Sequence, residues 1–322
     1  MMFTRFIFYC ILLALPAAAQ FKVADKNGRI EIRDGDQLVF GYQHQPLANP
    51  KGGEIFAASA FIHPLTTPSG FLLTDIQPGD HLHHLGVWWP WKLVEIDGKK
   101  HVTWEMQKKE GRHRGISAEA VQVEKDGVLV HARNAVDIST DGKAYRQVIQ
   151  EKASLRLSRL DKGGYQLDID LSQSPVEGEE VTITQYRYSG FCWRGTPAWD
   201  SKTSTMLTSG GHHRDNANHQ PAKWCMVSGE TPAGKATLLV LSAASMDEGQ
   251  PERLRVWGSK MHHGNPFVNF NPVVKQSLLL EEKNKAVTHR SYRLIMVDRE
   301  IAADEADQLW QNWDAIGGLG AN

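Results

Sequence analysis

Tight-turn dipeptides recur along the chain at Asp34-Gly35, Asp97-Gly98, Asp126-Gly127, Asp141-Gly142 and Gly163-Gly164, each between apolar or alternating runs. Asp-Gly and Gly-Gly accept the positive φ that two-residue hairpins demand, so each reads as the tip of an antiparallel strand pair. Beside Asp126-Gly127 lie Ile116 to Val123 and Val128 to Ala132. Beside Gly163-Gly164, Leu155 and Leu157 alternate with Arg156 and Ser158, and Leu167, Ile169 and Leu171 alternate with Asp168 and Asp170. Period two places one face in a core and the other in water. Further strands are expected over 182–188, 236–242, 276–281 and 291–297. One helix closes the chain: Ala302, Ala306, Leu309, Trp313 and Ile316 share a helical face, Asp298 can cap it, and Gly317, Gly318 and Gly320 end it. No β-α alternation, linker or internal repeat interrupts the pattern. The expectation is an all-β fold, a large antiparallel two-sheet sandwich with a C-terminal helix, in one domain over residues 20–322.

Residues 1–19 read as a signal peptide. Arg5 supplies the positive start, Phe6 to Leu15 an apolar run, and Ala17-Ala18-Ala19 small residues for cleavage before Gln20. The run is about ten residues, half of what a bilayer span needs. The chain is therefore expected to be exported, periplasmic or extracellular, with no membrane association after cleavage. Cleavage removes Cys10 and leaves Cys192 and Cys225, which an exported chain can oxidise to one disulfide or keep as two buried thiols. No CxxC motif exists for a cysteine-type zinc site.

Of 322 residues, 36 are Lys or Arg and 37 Asp or Glu, a net charge of −1. Nothing in that balance recruits a polyphosphate backbone, so a nucleic-acid partner is not expected. The 14 His and 10 Trp instead point toward a small-molecule site.

The densest chemistry lies between Phe61 and Trp91, with His63, His81, His83, His84, Trp88, Trp89 and Trp91. Pro64, Pro68, Gly70, Pro78 and Gly79 make its first half irregular, as binding loops often are. From Asp80 the expectation is a strand, with His81 and His83 on one face and His84 on the other. Three roles are open to these histidines: acid–base catalysis, metal ligation by His81 and His83 with Asp75 or Asp80 completing the shell, or hydrogen bonding in a packed core. The ion would be a divalent cation such as zinc, manganese or calcium. Trp89 and Trp91 share the alternation phase of His81 and His83 and are candidates for an aromatic wall against a sugar face.

Two further groups add substrate-binding candidates. In Tyr186 to Gly195, Arg187 and Arg194 are cationic forks among aromatics, suited to oxygen-rich ligands or to structural ion pairs. The pairs His212-His213 and His262-His263 adjoin glycines and belong either to the same site or to the surface. There is no GxSxG elbow, P-loop or GxGxxG.

The segments Phe61-Ile62-His63-Pro64-Leu65, Pro68-Ser69-Gly70, Asp75 and Asp80-His81-Leu82-His83-His84-Leu85-Gly86-Val87-Trp88-Trp89 resemble the PmoA-type family of unknown function, whose bacterial members are often labelled methane oxygenase PmoA. Tyr188 to Arg194, Ala222 to Gly229 and Tyr292-Arg293-Leu294 continue the likeness in order. A methane monooxygenase subunit needs several transmembrane helices, and the segments after residue 19 are too polar to supply them. The resemblance implies a secreted β-sandwich similar to the galactose-mutarotase-like supersandwich, directed at sugars. Many members carry Asp-His-Pro-x-Asn-Pro where this chain reads Ser242 to Gly249; His262 or His263 is the candidate to replace that lost histidine. The resulting expectation is a secreted enzyme that hydrolyses, eliminates or epimerises a small-molecule or oligosaccharide substrate through His81, His83 and His84. A non-catalytic carbohydrate-binding module is the rival, and the sequence leaves the oligomeric state open.

Overall fold

The computed structural model describes residues 20–123, 127–243, 251–281, 283 and 288–314. The leader, Asp126, the family-divergent residues 244–249 and the glycines at the C-terminal end lie outside the described residues.

Three antiparallel sheets form the molecule. The first has the strand order β1 (Lys22–Lys26), β2 (Arg29–Asp34), β3 (Gln37–Gln43), β4 (Phe61–Leu65), β5 (Val87–Trp88), β13 (Phe191–Arg194), β18 (Phe267–Asn271) and β17 (Arg253–Val256). The second runs β14 (Ser204–Thr208), β15 (Trp224–Thr231), β16 (Gly234–Ser242), β20 (His289–Val297), β11 (Tyr165–Pro175), β10 (Arg146–Arg159), β9 (Gly127–Ile138) and β8 (Gly111–Val123). A small third sheet joins β19 (Leu278–Leu280), β12 (Val181–Ile183), β6 (Leu93–Ile96) and β7 (Lys99–Val102).

The two large sheets bury one core between them. Ile32, Phe40, Tyr42 and Ile62 of the first meet Val130, Leu155, Leu167, Ile169 and Leu294 of the second. The alternation around Gly163-Gly164 thus points its leucines inward, with Leu155 paired to Ile169 and Leu157 to Leu167. The third sheet goes beyond the two-sheet expectation. It exists because Val136, Ile138, Val148 and Ile149 on β9 and β10 carry a second apolar surface, which Trp91, Val94, Ile96, Val181 and Ile183 cover. The Asp97-Gly98 turn joins β6 to β7, and both its residues adopt positive φ (51° and 71°).

The helix α1 (Ala303–Asp314) lies against the outer face of the second sheet. There β16 and β20 are apolar on both sides: Leu238 and Leu294 face the main core, while Leu239, Leu241, Ile295 and Val297 face Ala306, Trp310 and Trp313. Burying each indole stabilises that contact by about 2–3 kcal/mol. Trp310 Nε1 donates to Ser242 O at 2.8 Å, and Trp224 Nε1 donates to Asp307 Oδ1 at 2.8 Å. Asp298 does not cap this helix. Its carboxylate accepts from Ser69 N–H and Oγ instead, each at 2.7 Å.

Other expectations shorten. The 182–188 strand ends at Ile183, beyond which Tyr186 N–H bonds Val273 O at 3.0 Å, and 276–281 contracts to Leu278–Leu280. Cys192 and Cys225 sit in different large sheets as buried free thiols, and burial pushes the Cys225 thiol up to about 12.

Candidate functional site

Four neighbouring strands of the first sheet bring the site together. In the register β5-β13-β18-β17, Val87 lies beside Trp193, Arg194 beside Phe267, and Val256 beside Val268. Because these strands are antiparallel, the start of β5, the end of β13, the start of β18 and the end of β17 fall at one edge. That edge receives the histidine loop, Arg194, Phe267 and Trp257.

The histidine segment is a looped turn, not the expected strand. A bridge between Ile76 and Leu85 pinches its base. Within it His81 N–H bonds Pro78 O and His84 N–H bonds His81 O, both at 2.9 Å. Pro78 and Gly79 favour turning over extension. Gly86 ends the loop at φ 72°, and a Cβ there would lie 2.4 Å from Ile62 O. Its backbone is tied on both sides, by N–H to Asp75 O at 3.0 Å and by O from Arg194 N–H at 2.7 Å.

The turn gathers all three imidazoles instead of splitting them between faces. Ring centroids lie 5.6 Å apart for His81 and His83, 4.5 Å for His81 and His84, and 5.0 Å for His83 and His84. A fourth, His262, comes from the loop after β17, 4.6 Å from His81. His262 and His263 both take positive φ (46° and 59°), which turns His262 inward and leaves His263 exposed. These four rings stand at a hollow of 320 Å³, of which His81, His83, His84, His262, Trp104, Glu105, Arg187, Tyr188, Arg255, Trp257, Met261 and Phe267 form the lining. That volume is near the lower end of the range for small-ligand sites.

Burial dominates the electrostatics. It holds His83 down at about 4, against the opposing pull of Glu105. His84 is buried deepest and lies well below its ordinary value, with its imidazole neighbours adding to the effect. His262 is also lowered by burial, then by His81. His83 and His84 are therefore neutral at neutral pH and able to accept a proton or a hydrogen bond. Glu105 accepts from Tyr188 OH at 2.8 Å and pairs with Lys92. Burial and the Glu105 charge push the Tyr188 hydroxyl up, so it stays protonated.

Arg194 lies under the hollow, almost wholly buried. It reaches Asp80 Oδ1 at 3.4 Å and Asp75 Oδ2 at 4.0 Å, with its guanidinium carbon 4.5 Å from the Trp257 ring centroid. The two carboxylates shift oppositely. Burial raises Asp75 more than the distant Arg194 charge lowers it. For Asp80 burial is again the largest single influence, but the neighbouring His81 imidazole and the Arg194 charge together outweigh it and lower the pKa. Among the described residues, one group of three acidic or ligating side chains is tight enough to hold an ion: Asp80, His81 and His262.

The other sequence candidates lie elsewhere. Trp89 and Trp91 form no wall at the hollow. Trp89 is sealed in the main core and donates to Glu151 Oε1 at 2.7 Å, while Trp91 packs beneath the third sheet. The turn at 77–84 and the positive φ of Gly86 break the alternation that the expected phase assumed, so Trp88, 5.0 Å from His84, faces the site. His63 on β4 bonds Thr74 Oγ1 at 2.9 Å and does not line the hollow. His212 and His213 follow β14, where His213 Nδ1 faces Met206 O at 3.3 Å, also away from the lining. Trp104, Glu105, Arg255 and Trp257 were not singled out from sequence. The period-two pattern of β17 held a signal for the last two, with Leu254 and Val256 inward and Arg255 and Trp257 at the hollow.

A larger hollow of 710 Å³ crosses β8 to β11 and β20, but no sequence-selected residue lines it. Its buried carboxylate, Glu151, already accepts from Trp89 Nε1, Asn134 Nδ2 and Gln173 Nε2.

A family model described as a family of unknown function, DUF6807, matches residues 29–311. The chain belongs to DUF6807. The match to DUF6807 carries no methane-oxygenase label, and no helix among the described residues is long and apolar enough to cross a membrane. No curated protein matches this DUF6807 chain. A 4-alpha-glucanotransferase from Thermococcus litoralis is similar at 9% identity and a TM-score of 0.35, over 88% of this chain and 39% of that one, so the chain spans about two fifths of that enzyme's length. A GalM/aldose epimerase homologue from C. elegans is similar at 9% identity and a TM-score of 0.36, over 88% of this chain and 100% of that one. Likenesses this distant assign no activity to the DUF6807 chain.

Proposed function

We propose that the hollow binds a carbohydrate or modified sugar and transforms it by hydrolysis, elimination or epimerisation, in a protein exported by its leader. The observation that carries this reading is the convergence of His81, His83, His84 and His262 with Tyr188, Trp104 and two guanidinium groups around 320 Å³. Aromatic faces pack against the C–H faces of a sugar ring, and flanking imidazoles and guanidiniums bond its hydroxyls. His83, neutral through burial yet less buried than His84, is the proton acceptor of the cluster. Arg187 and Arg255 orient oxygen or carboxylate substituents, and the Tyr188 ring, held by its bond to Glu105, is the stacking surface. His84, 3% exposed, supports the cluster from beneath.

The test is a panel of neutral and uronate-containing oligosaccharides incubated with purified protein, read by reducing-end release, by ultraviolet absorbance of unsaturated products and by proton NMR for epimers. Turnover that disappears in His83→Ala while glycan binding disappears in Tyr188→Ala supports the enzyme reading. Glycan binding without turnover, unchanged in His83→Ala, leaves a binding module. No binding of any glycan overturns both.

A further inference from the structure

We propose that Asp80 Oδ2, His81 Nδ1 and His262 Nδ1 form a site for one first-row transition-metal dication of the zinc type. This deepens the functional reading of the same hollow. It requires the hollow to be a functional site but does not require its substrate to be a sugar.

His81 Nδ1 lies 3.0 Å and His262 Nδ1 3.5 Å from the same oxygen, Asp80 Oδ2. Donors held at ~2.0–2.1 Å around one ion are about 3.0–3.4 Å from one another, so both imidazole nitrogens already lie close to coordination spacing from the shared oxygen, and the three side chains offer ligand atoms within 4.8 Å of one another. Simple hydrogen bonding does not account for this contact at His81. Its Nδ1 is buried and faces a carboxylate oxygen, yet it makes no aligned hydrogen bond. A metal ion between the two atoms satisfies both without that alignment.

The surroundings suit a ligand set. Asp80 divides its oxygens, with Oδ1 toward Arg194 at 3.4 Å and Oδ2 toward the imidazoles. An outer partner on the second oxygen fixes the orientation of a ligating carboxylate. Arg194 is a cation close to the proposed ion, but Asp75 also faces it at 4.0 Å, so the two carboxylates together exceed its charge. The Trp257 indole packs against His262 at 3.9 Å between centroids and restricts its ring. Two imidazole nitrogens and one carboxylate oxygen favour zinc, iron(II) or manganese and disfavour calcium, which takes six or more oxygens. Three protein donors leave coordination positions for water or for a substrate oxygen, as in catalytic rather than structural sites. His83, which the sequence pairs with His81 as a metal ligand, is not among the three.

The experiment titrates chelator-stripped, dialysed protein with zinc alone by calorimetry, and with cobalt(II) by visible absorption. One zinc per chain is expected, with a cobalt spectrum showing nitrogen and oxygen coordination. Asp80→Asn and His262→Ala should weaken zinc binding ~100-fold or more, since even outer-shell losses cost 10–100-fold. His263→Ala should not change it, and excess calcium should not displace the zinc. Each variant is checked by circular dichroism and melting, with His81→Gln substituted where His262→Ala does not fold. Absence of saturable one-to-one zinc and cobalt binding in the wild type overturns the site, as does binding that survives both Asp80→Asn and His262→Ala. Glycan turnover that persists after complete metal removal also removes the ion from the activity, while stoichiometric zinc without any glycan binding upholds the site and overturns only the sugar reading.

Discussion

Arg194 spreads its guanidinium over Trp257, with Cζ 4.5 Å from the ring centroid, while its Nη2 reaches Asp80 Oδ1 at 3.4 Å. One side chain from β13 thus links the loop before β5 to the residue after β17. Its removal leaves Asp75 and Asp80 with only the weaker Lys51 charge to offset their repulsion, and truncating the buried member of an ion pair costs several kcal/mol. Arg194→Ala is expected to lower stability by about 3 kcal/mol in urea unfolding. Arg194→Lys should recover only part of it, because an ammonium cannot both fork to the carboxylates and lie flat on an indole.

Trp89 separates packing from recognition. Its N–H donates to the fully buried Glu151 carboxylate, which also holds Asn134 and Gln173. Trp89→Phe keeps most of the apolar volume but removes a charge-assisted bond, with an expected loss of about 1.5–3 kcal/mol. Ligand binding at the histidine hollow should not change. A large change in binding with little change in melting temperature would restore Trp89 to the site.

His63 sets a pH dependence of stability away from the hollow. Burial, followed by the positive charge of Arg29, lowers it from 6.5 to about 4. The unfolded chain then takes up a proton between those values that the folded chain refuses, so stability is complete above 6.5 and declines as pH falls toward 4. The contribution amounts to about 3 kcal/mol across that window. Chemical denaturation at intervals between the two values should show this slope, and His63→Gln should reduce it, the remainder coming from His83 and His84, which burial lowers in the same direction.

Gly86 is where the loop depends on the absence of a side chain. At φ 72°, with a Cβ position 2.4 Å from Ile62 O, Gly86→Ala is expected to cost at least about 2 kcal/mol and to displace the histidine loop. Gly98→Ala, also at positive φ but with open space around its Cβ position, should cost less and leave ligand binding intact. Equal effects from the two would remove the steric argument.

Much of the fold was legible because its signals are local. The turns at Asp97-Gly98 and Gly163-Gly164 and the alternation of Leu155, Leu157, Leu167 and Ile169 act within a few residues. The third sheet was not legible, since the pairing of β12 with β6 joins Thr182 to Glu95 across a stretch with no local marker. The site was half visible. His81, His83, His84 and Arg187 stood out as a cluster and a cationic fork, but the strand reading after Asp80 assigned Trp89 and Trp91 to the wrong side. It could not choose between His262 and His263, because their consecutive positive φ values appear only in the folded loop.

The sequence by itself determined an antiparallel β framework, the side of most strands that faces the core, and the presence of a histidine concentration, since turn chemistry and period-two alternation are properties of neighbouring residues. Tertiary structure alone decided which histidines meet. The order β5-β13-β18-β17 joins strands far apart in the chain, and only that pairing places the loop of His81, the guanidinium of Arg194 and the ring of His262 at one edge. Long-range strand pairing is selected by burial summed over the whole core, a quantity that no short stretch of sequence contains.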